Sequence, residues 1–345
     1  MRIAVLGLGF MGSTHLKALR GLPGVEVTAV CSADEKALSG DLSGIQGNIG
    51  GPGEKLDFSG LKKFRDVEPL LADPSIDAVD ICLPTDLHSG VALEALRAGK
   101  HVLVEKPMAL EGSEADVMIA EARRQDRVLM AAHVLRFMPA YRALHDALCD
   151  GNLGAARHAI FRRRCAAPAW SQWLGDPQKS GGGVFDLLIH DVDMCLHLFG
   201  MPESVSATGY AAPESGIDVI TGEFHYAGQG TAVVTGGWHH PKSFPFSMEY
   251  TVVADAGTID FSSAGREPTL HRLDGASEPL PLSSQDGYQA EIEYFVNCCL
   301  NGTRPDLCPP EESAAAVKLT QLMVEARNEN GGRIPCRLSR NAKSA

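Results

Sequence analysis

Short, continuously apolar runs alternate with stretches of helical period through the first 130 residues. The runs at residues 3–6, 25–31, 78–83, 101–105 and 128–133 predict strands, and the stretches at 12–22, 67–71, 89–98 and 113–125 predict helices. Apolar strands separated by helices indicate a parallel sheet that is covered on both faces. Right-handed crossovers then give a doubly wound domain. The glycine-rich segment 39–60 interrupts the pattern and predicts a long surface loop.

The second half of the chain has a different pattern of predicted elements, because most of its strands follow one another without a helix between them. They lie at residues 155–164, 204–210, 218–226, 231–238, 246–253 and 257–261, with helices at 139–150, 186–199, 289–301 and 311–328. Runs of strands indicate a large, mainly antiparallel open sheet. The expected fold class is therefore α/β, with a doubly wound domain at 1–133 and an α+β domain at 134–345.

Composition restricts the classes of partner. The 345 residues are 44% hydrophobic and carry a formal charge of −12, so a phosphate backbone is not an expected partner. No apolar run reaches the ~18–20 residues that a membrane span needs. The nine cysteines form no C-x-x-C pair, which favours reduced thiols in a cytoplasmic protein and gives no support for a metal site.

Gly7, Gly9 and Gly12 form a G-x-G-x-x-G pattern between the first predicted strand and helix. The first glycine permits a tight turn, the second lets the backbone approach a pyrophosphate, and the third allows close helix–strand packing. The helix N-terminus offers free N–H groups to the anion. The pattern predicts a dinucleotide site in a Rossmann domain, with Phe10 and Met11 in the same turn. A purely structural glycine turn is the alternative.

The end of the second predicted strand bears on the type of dinucleotide. Ser32 stands where an acidic residue would accept a hydrogen bond from the ribose 2′-hydroxyl. Because serine does not repel a 2′-phosphate and Lys36 is close by, the sequence favours NADP(H). The alternative is that Asp34 reaches the ribose hydroxyls and NAD(H) is used.

Two more loops follow strands at the carboxyl edge of the sheet, where open α/β sheets bind ligands. One follows the strand at 78–83 and the other closes the strand at 101–105. The residues predicted to contact the cofactor there are Leu83, Pro84, Thr85, His88, Glu105 and Lys106. In the alternative interpretation His88 is structural and Lys106 belongs to a strand-end salt bridge.

Asp186 and His190 follow three glycines at the start of a predicted helix. A spacing of four residues places both on one helix face, where the carboxylate could orient the imidazole and raise its basicity. A metal site on one helix and a structural pair are the alternatives.

The chain resembles the glucose–fructose oxidoreductase, inositol dehydrogenase and rhizopine-catabolism (Gfo/Idh/MocA) family over essentially its whole length. The residues that carry the resemblance are the glycine turn, Leu83-Pro84-Thr85 with His88, Glu105-Lys106-Pro107, Arg136-Phe137, and the glycine triplet before Asp186 and His190. The match departs from the family pattern at Asp86 and Ser32 and in the length of the 39–60 loop.

The resemblance implies a pyridine-nucleotide oxidoreductase that transfers a hydride to or from a CH–OH carbon of a sugar, inositol or related polyol. It implies that Lys106 is the catalytic lysine, His190 the proton-transfer residue and Asp186 its partner. It also implies a homodimer or homotetramer built through the second sheet. Candidate substrate contacts are Lys106, Arg136, Asp186 and His190, with the aromatic or imidazole groups of Trp170, Trp173, Trp238 and His239. An NAD-dependent glycosidase and a non-catalytic, cofactor-bound regulator are the rival functions.

Overall fold

The computed structural model describes residues 1–47, 53–169, 171–212, 217–228 and 230–336. Its first sheet has six parallel strands in the order β3-β2-β1-β4-β5-β6, the dinucleotide-binding order. This confirms the doubly wound parallel sheet. The strands are β1 (Arg2–Leu6), β2 (Glu26–Cys31), β3 (Lys62–Phe64), β4 (Ala78–Ile81), β5 (His101–Glu105) and β6 (Leu129–Ala132). The helices between them are α1 (Phe10–Leu19), α2 (Glu35–Leu38), α3 (Val67–Leu71), α4 (His88–Arg97) and α5 (Gly112–Gln125).

Two elements of this domain have no counterpart in the sequence pattern. α2 has four residues and β3 has three, two of which are lysines. Segments this short and polar carry no readable period, and β3 exists because its backbone pairs with β2.

The described part of the 39–60 loop is irregular apart from one bridge between Asp41 and Lys55. Residues 48–52 lie outside the described residues. The loop lies against α1, because Gly47 packs on the Phe10 ring and Glu54 lies 3.6 Å from Lys17 Nζ. It therefore extends the wall of the domain beside the glycine turn.

The second sheet has nine strands in the order β14-β13-β12-β11-β7-β10-β9-β8-β15. Its pairings are antiparallel except for β7 with β10, which confirms a large, mainly antiparallel sheet. The strands are β7 (Ala156–Arg164), β8 (Ser204–Ala212), β9 (Ile217–His225), β10 (Thr231–Gly237), β11 (Ser247–Ala254), β12 (Gly257–Ser262), β13 (Arg266–Arg272), β14 (Ser277–Pro279) and β15 (Ile334–Pro335). The sequence pattern does not predict the edge strands β14 and β15, nor β13, which pairs with β14.

Helices cover one face of this sheet. They include α8 (Ile189–Phe199) and α10 (Pro310–Asn328), and α6 (Pro139–Cys149), α7 (Pro177–Ser180) and α9 (Gly287–Asn301) complete the set of α-helices among the described residues. A π-helical turn at Val184–Leu188 precedes α8, and 3₁₀ turns lie at Thr85–Leu87 and Val134–Arg136. No described helix is long and apolar enough to cross a membrane.

The last third of the chain returns to the first sheet. Ile292, Phe295 and Val296 of α9 share one buried cluster with Ile3 and Val5 of β1. One face of the parallel sheet is therefore covered by a helix from the second half of the sequence. The domain boundary between residues 133 and 134 stays a prediction. The packing of α9 shows that residues from both sides of this boundary share one core.

Candidate active site

A cavity of about 380 Å³ lies at the carboxyl edge of the parallel sheet and is closed on its other side by the second domain. It brings together most of the residues predicted from the sequence. The predicted residues that line it are Gly7, Gly9, Phe10, Met11, Ser32, Leu83, Pro84, Thr85, His88, Glu105, Lys106, Trp173, Asp186 and His190.

The glycine turn forms one end of the cavity. A side chain at Gly7 would place its Cβ 2.3 Å from the Cys82 carbonyl oxygen, and φ there is +90°. A Cβ at Gly12 would lie 1.9 Å from the carbonyl oxygen of Gly7, so Gly12 serves close packing and does not line the cavity. Nothing lies within 4 Å of a Cβ built on Gly9. The open space is therefore in front of Gly9, where a bound group can approach the backbone.

Lys106 reaches across the cavity from the end of β5 to the second domain. Its Nζ donates to the carbonyl oxygen of Asp186 at 2.7 Å and to Asp186 Oδ1 at 3.1 Å. Both side chains are mostly shielded from solvent. An ammonium has three N–H donors, so one remains for a bound molecule.

The predicted partnership of Asp186 with His190 is wrong. The Asp186 carboxylate faces Lys106, and Nδ1 of His190 is buried with no hydrogen-bond partner among the described residues. The physical reason is the π-helical turn at Val184–Leu188. The four-residue spacing pairs side chains within one regular α-helix, whereas here Asp186 lies in the π-helical turn and His190 lies in α8.

His190 is nevertheless held in a defined electrostatic environment. Burial lowers its pKa well below the usual value, and the nearby positive charges of Lys106 and Arg163 act in the same direction. The ring is therefore neutral at neutral pH.

Glu105 is fixed by a buried ionic cluster that the sequence did not suggest. Its Oε2 accepts from the Lys106 backbone N–H at 3.0 Å, and its Oε1 lies 3.1 Å from Nε2 of His15. His15 Nδ1 lies 2.9 Å from Asp80 Oδ2. Burial lowers the His15 pKa, but the charges and hydrogen bonds of Asp80 and Cys82 together outweigh it and raise the pKa well above its usual value. An imidazolium between two carboxylates thus ties α1 to β4 and β5.

His15, Asp80 and Cys82 also place potential metal-ligand atoms within 4.8 Å of one another. Hydrogen bonds within the ionic cluster account for this closeness. Burial, reinforced by the charge of Asp80, raises the pKa of the Cys82 thiol well above its usual value, which disfavours the thiolate that metals prefer. The cluster therefore gives no support for a metal centre, and the predicted absence of a metal stays a prediction.

His88 lines the cavity but directs both ring nitrogens elsewhere. Nδ1 lies 2.7 Å from the Pro107 carbonyl oxygen, and Nε2 lies 2.8 Å from the Leu83 carbonyl oxygen. The ring links the loops that follow β4 and β5, beside the cis peptide bond between Lys106 and Pro107. Its nitrogens therefore hold the cavity wall, as the structural interpretation of His88 expected.

Arg136 does not reach the cavity, and its prediction as a substrate contact is wrong. Its fully buried guanidinium donates to both oxygens of Asp193 at 2.9 and 2.6 Å and to Glu312 at 2.6 Å. A buried guanidinium needs such partners, and here all of them belong to the second domain.

The aromatic candidates have different positions. Trp173 lines the cavity, whereas Trp238 is 1% exposed and packs in the core against Gly183. Exposed His239 lies beside Tyr210 and does not line the cavity. Trp170 lies outside the described residues.

Sequence reasoning missed Arg163, Phe246 and Tyr288, which also line the cavity. Arg163 carried a readable signal, because it shares the inward parity of Ala159 and Phe161 along β7. An arginine on an apolar strand face is unusual and points to a buried role. Tyr288 comes from α9 and had no local signal.

Comparison with known families agrees with this architecture. Residues 1–133 match the family described as "Oxidoreductase family, NAD-binding Rossmann fold", and residues 141–260 match the "GFO/IDH/MocA C-terminal domain". The chain belongs to the Gfo/Idh/MocA oxidoreductase family. Its cavity therefore lies in a nucleotide-binding domain of known type.

Within the Gfo/Idh/MocA family, myo-inositol 2-dehydrogenase of Thermotoga maritima is 31% identical over 61% of this chain and 58% of its own length. UDP-N-acetylglucosamine 3-dehydrogenase of Acidithiobacillus ferrooxidans is 29% identical over 89% of this chain and 91% of its own length. A levoglucosan dehydrogenase structure, solved with NADH and levoglucosan, superposes with a TM-score of 0.83 at 18% identity. It covers 98% of this chain and 100% of that one, and shows a shared fold. Alignments to several curated relatives span only about half of their length.

The Arg136–Asp193 pair predicts a large stability effect. Arg136→Ala leaves the Asp193 carboxylate buried without its partner, which costs about 3–5 kcal/mol of unfolding free energy. The control is Arg142→Ala, since the Arg142–Asp146 pair is solvent-exposed and contributes about 1 kcal/mol or less. Urea denaturation measures both, and equal losses would contradict the assignment of Arg136 to structural support.

Proposed function

We propose that this protein is an NAD(P)-dependent oxidoreductase that transfers a hydride between a nicotinamide cofactor and a CH–OH carbon of a sugar, inositol or related polyol. The observation that carries the proposal is the common cavity of Lys106, His190 and the glycine turn. An ammonium donor and a neutral imidazole at one end of a dinucleotide cradle are the groups that alcohol oxidation requires.

The residues of the first domain fit a nicotinamide dinucleotide. The open space at Gly9 and the N-terminus of α1 suit the pyrophosphate, and Ser32 lines the part of the cavity at the end of β2. The cavity wall between Lys106 and the positions of Gly9 and Ser32 is formed by Leu83, Pro84 and Thr85. When bound, the cofactor supplies a hydride acceptor or donor at the nicotinamide ring.

In this proposal Lys106 polarises the reacting oxygen. Asp186 occupies two of the three ammonium N–H donors and so directs the third. As a hydroxyl loses its proton, a positive charge held in a shielded cavity stabilises the developing alkoxide. Asp186 is then a positioning residue for the lysine.

His190 moves the proton. Its lowered pKa keeps the ring neutral at neutral pH, so a ring nitrogen can accept the proton of the substrate hydroxyl. In the opposite direction the imidazolium returns the proton to a carbonyl oxygen. Burial and the charges of Lys106 and Arg163 disfavour the protonated ring, so the proton is held only transiently.

The substrate class rests on the relatives and on the cavity wall. Similar proteins are named for the oxidation of an inositol and of a nucleotide sugar. Trp173 and Phe246 offer flat apolar surfaces that suit the C–H faces of a sugar ring. A net change in nicotinamide absorbance distinguishes this function from a glycosidase, which would show none, and from a regulator, which would turn nothing over.

Loss of either reacting group should abolish most turnover. Lys106→Ala and His190→Ala are each expected to lower kcat about 10²- to 10⁴-fold, because a proton-transfer or charge-stabilising group is lost. Nucleotide binding, followed by NAD(P)H fluorescence, should change little. Steady-state rates with a panel of sugars, polyols and inositols provide the measurement.

His197→Ala is the matched control, because His197 lies on the same helix but stacks on His145 away from the cavity. It should retain wild-type kcat. Wild-type turnover by both active-site variants would show that the proposed roles are mistaken.

We further propose that NADP(H) is preferred over NAD(H). Ser32 lines the cavity, and its Oγ accepts the Asp34 backbone N–H at 3.1 Å. The Asp34 carboxylate caps α2 by accepting the Lys36 N–H at 2.8 Å, which leaves it less available to ribose hydroxyls. Lys36 itself lies 3.8 Å from Asp41 and is 60% exposed, so it could turn toward a 2′-phosphate.

A carboxylate at position 32 should reverse this preference. Ser32→Asp is expected to weaken NADPH binding at least about tenfold, because two negative charges would meet, while NADH binding is kept or improved. Fluorescence titration measures both. Ser59→Asp adds the same charge at the amino edge of the sheet and should leave the ratio unchanged. Tighter binding of NADH than of NADPH by the wild type would overturn the cofactor proposal.

The cytoplasmic location and the homodimer or homotetramer stay predictions. The outer face of the second sheet is the surface we propose for pairing, because Ile160 and Val253 are exposed on adjacent strands there.

A further inference from the structure

Arg163 is a buried cation beside the reacting groups, and its hydrogen-bond donors have no role in the mechanism so far. It lies on the helix-covered face of β7, is 3% exposed, and lines the same cavity as Lys106 and His190. Its charge is close enough to His190 to lower the pKa of that ring.

The guanidinium is held in one orientation. Nε and Nη2 donate to the two oxygens of Asp191 at 2.9 and 3.0 Å, and Nη2 also lies 3.3 Å from the Tyr141 hydroxyl. A bidentate pair of this kind fixes the plane of the group. Because Asp191 and Tyr141 are themselves buried, Arg163 cannot turn without leaving a buried carboxylate unpaired.

The third nitrogen is poorly satisfied. Among the described residues, the hydrogen-bond partner of Nη1 is the Met248 thioether sulfur at 3.5 Å. Nη1 carries two N–H donors, and a thioether is a weak acceptor. At least one of these donors therefore has no oxygen partner among the described residues, and a molecule bound in the cavity can supply one.

The charge balance of the cavity indicates what kind of oxygen atom would accept a hydrogen bond from Nη1. Arg163 is paired with Asp191, and Lys106 is paired with Asp186. Neither pair leaves a full positive charge for a carboxylate or phosphate. An uncharged hydroxyl or carbonyl oxygen suits a pre-paired guanidinium better, since it needs a donor and no counter-charge.

We propose that Arg163 is a specificity-determining residue whose Nη1 donates a hydrogen bond to an uncharged substrate oxygen other than the reacting one. This inference rests on the proposed function, since it concerns the polyol in the same cavity. Arg163 then selects substrates that carry a hydroxyl at one position relative to the carbon oxidised at Lys106 and His190.

The test is Arg163→Lys, with Arg162→Lys as the matched control. Lysine keeps a positive charge for Asp191 but has no second amino group to present to the cavity. Arg162 is the next residue of the same strand, points to the outer face and pairs with Glu249. Arg163→Lys is expected to raise KM about 10- to 100-fold with kcat changed less than threefold, whereas Arg162→Lys should match the wild type.

Equilibrium binding gives a readout that needs no turnover. Calorimetric titration of myo-inositol, D-glucose, D-glucitol and their monodeoxy analogues into the protein with NADPH or NADH compares wild type and variant. In the wild type, removal of the one contacted hydroxyl should weaken binding about 10- to 100-fold. In Arg163→Lys the same removal should change affinity less than threefold. The titrations of the wild type with the deoxy analogues still test the proposal if the variant fails to fold.

The outcomes separate the two claims. The role of Arg163 is overturned if removal of each hydroxyl weakens binding equally in the wild type and the variant. It is also overturned if no single hydroxyl affects binding by the wild type. Polyol binding without oxidation by the wild type overturns the proposed function but leaves the recognition role standing. If the wild type binds none of these compounds, both claims fall.

Discussion

The two hydrogen bonds from Lys106 Nζ to Asp186 join the carboxyl end of β5 to the π-helical turn that precedes α8 in the second domain. They are the contact on which the geometry of the cavity depends, because they hold a cation between the nucleotide cradle and the nine-stranded sheet. A side chain as long as lysine would otherwise lose considerable rotamer freedom on meeting a substrate. With two of its donors already engaged, the ammonium is oriented before anything binds.

The structure behind this contact explains why the lysine can be placed so accurately. Glu105, next to it on β5, is bound to the His15 imidazolium, which in turn is bound to Asp80 on β4. Buried charges of this kind contribute little net stability, but loss of one member leaves another unpaired. His15 lies on α1, about one turn after the glycine turn. The cluster therefore resists any shift of β5 relative to the glycine turn. On the opposite wall of the cavity, the Arg163–Asp191 pair resists any shift of α8 relative to β7.

Much of the fold could be predicted from local patterns, since apolar runs and helical periods set β1, β2, β4, β5 and β6 to within two residues at each end. Motifs at strand ends likewise predicted that Gly9 and Lys106 would lie at one edge of the sheet, and the family resemblance predicted His190 beside them. What failed depended on contacts distant in sequence. The helical period at Asp186 cannot reveal a π-turn, and nothing near Arg136 indicates that Asp193 and Glu312 neutralise it. Tyr288 reaches the cavity only because α9 folds back on the first domain.

The most direct measurement is a crystal structure of the protein with a reduced or oxidised nicotinamide nucleotide and a bound polyol. The account predicts one substrate oxygen about 3 Å from both Lys106 Nζ and a ring nitrogen of His190, on the carbon that faces the nicotinamide. A polyol seated elsewhere, or a reacting oxygen that touches neither residue, would contradict it.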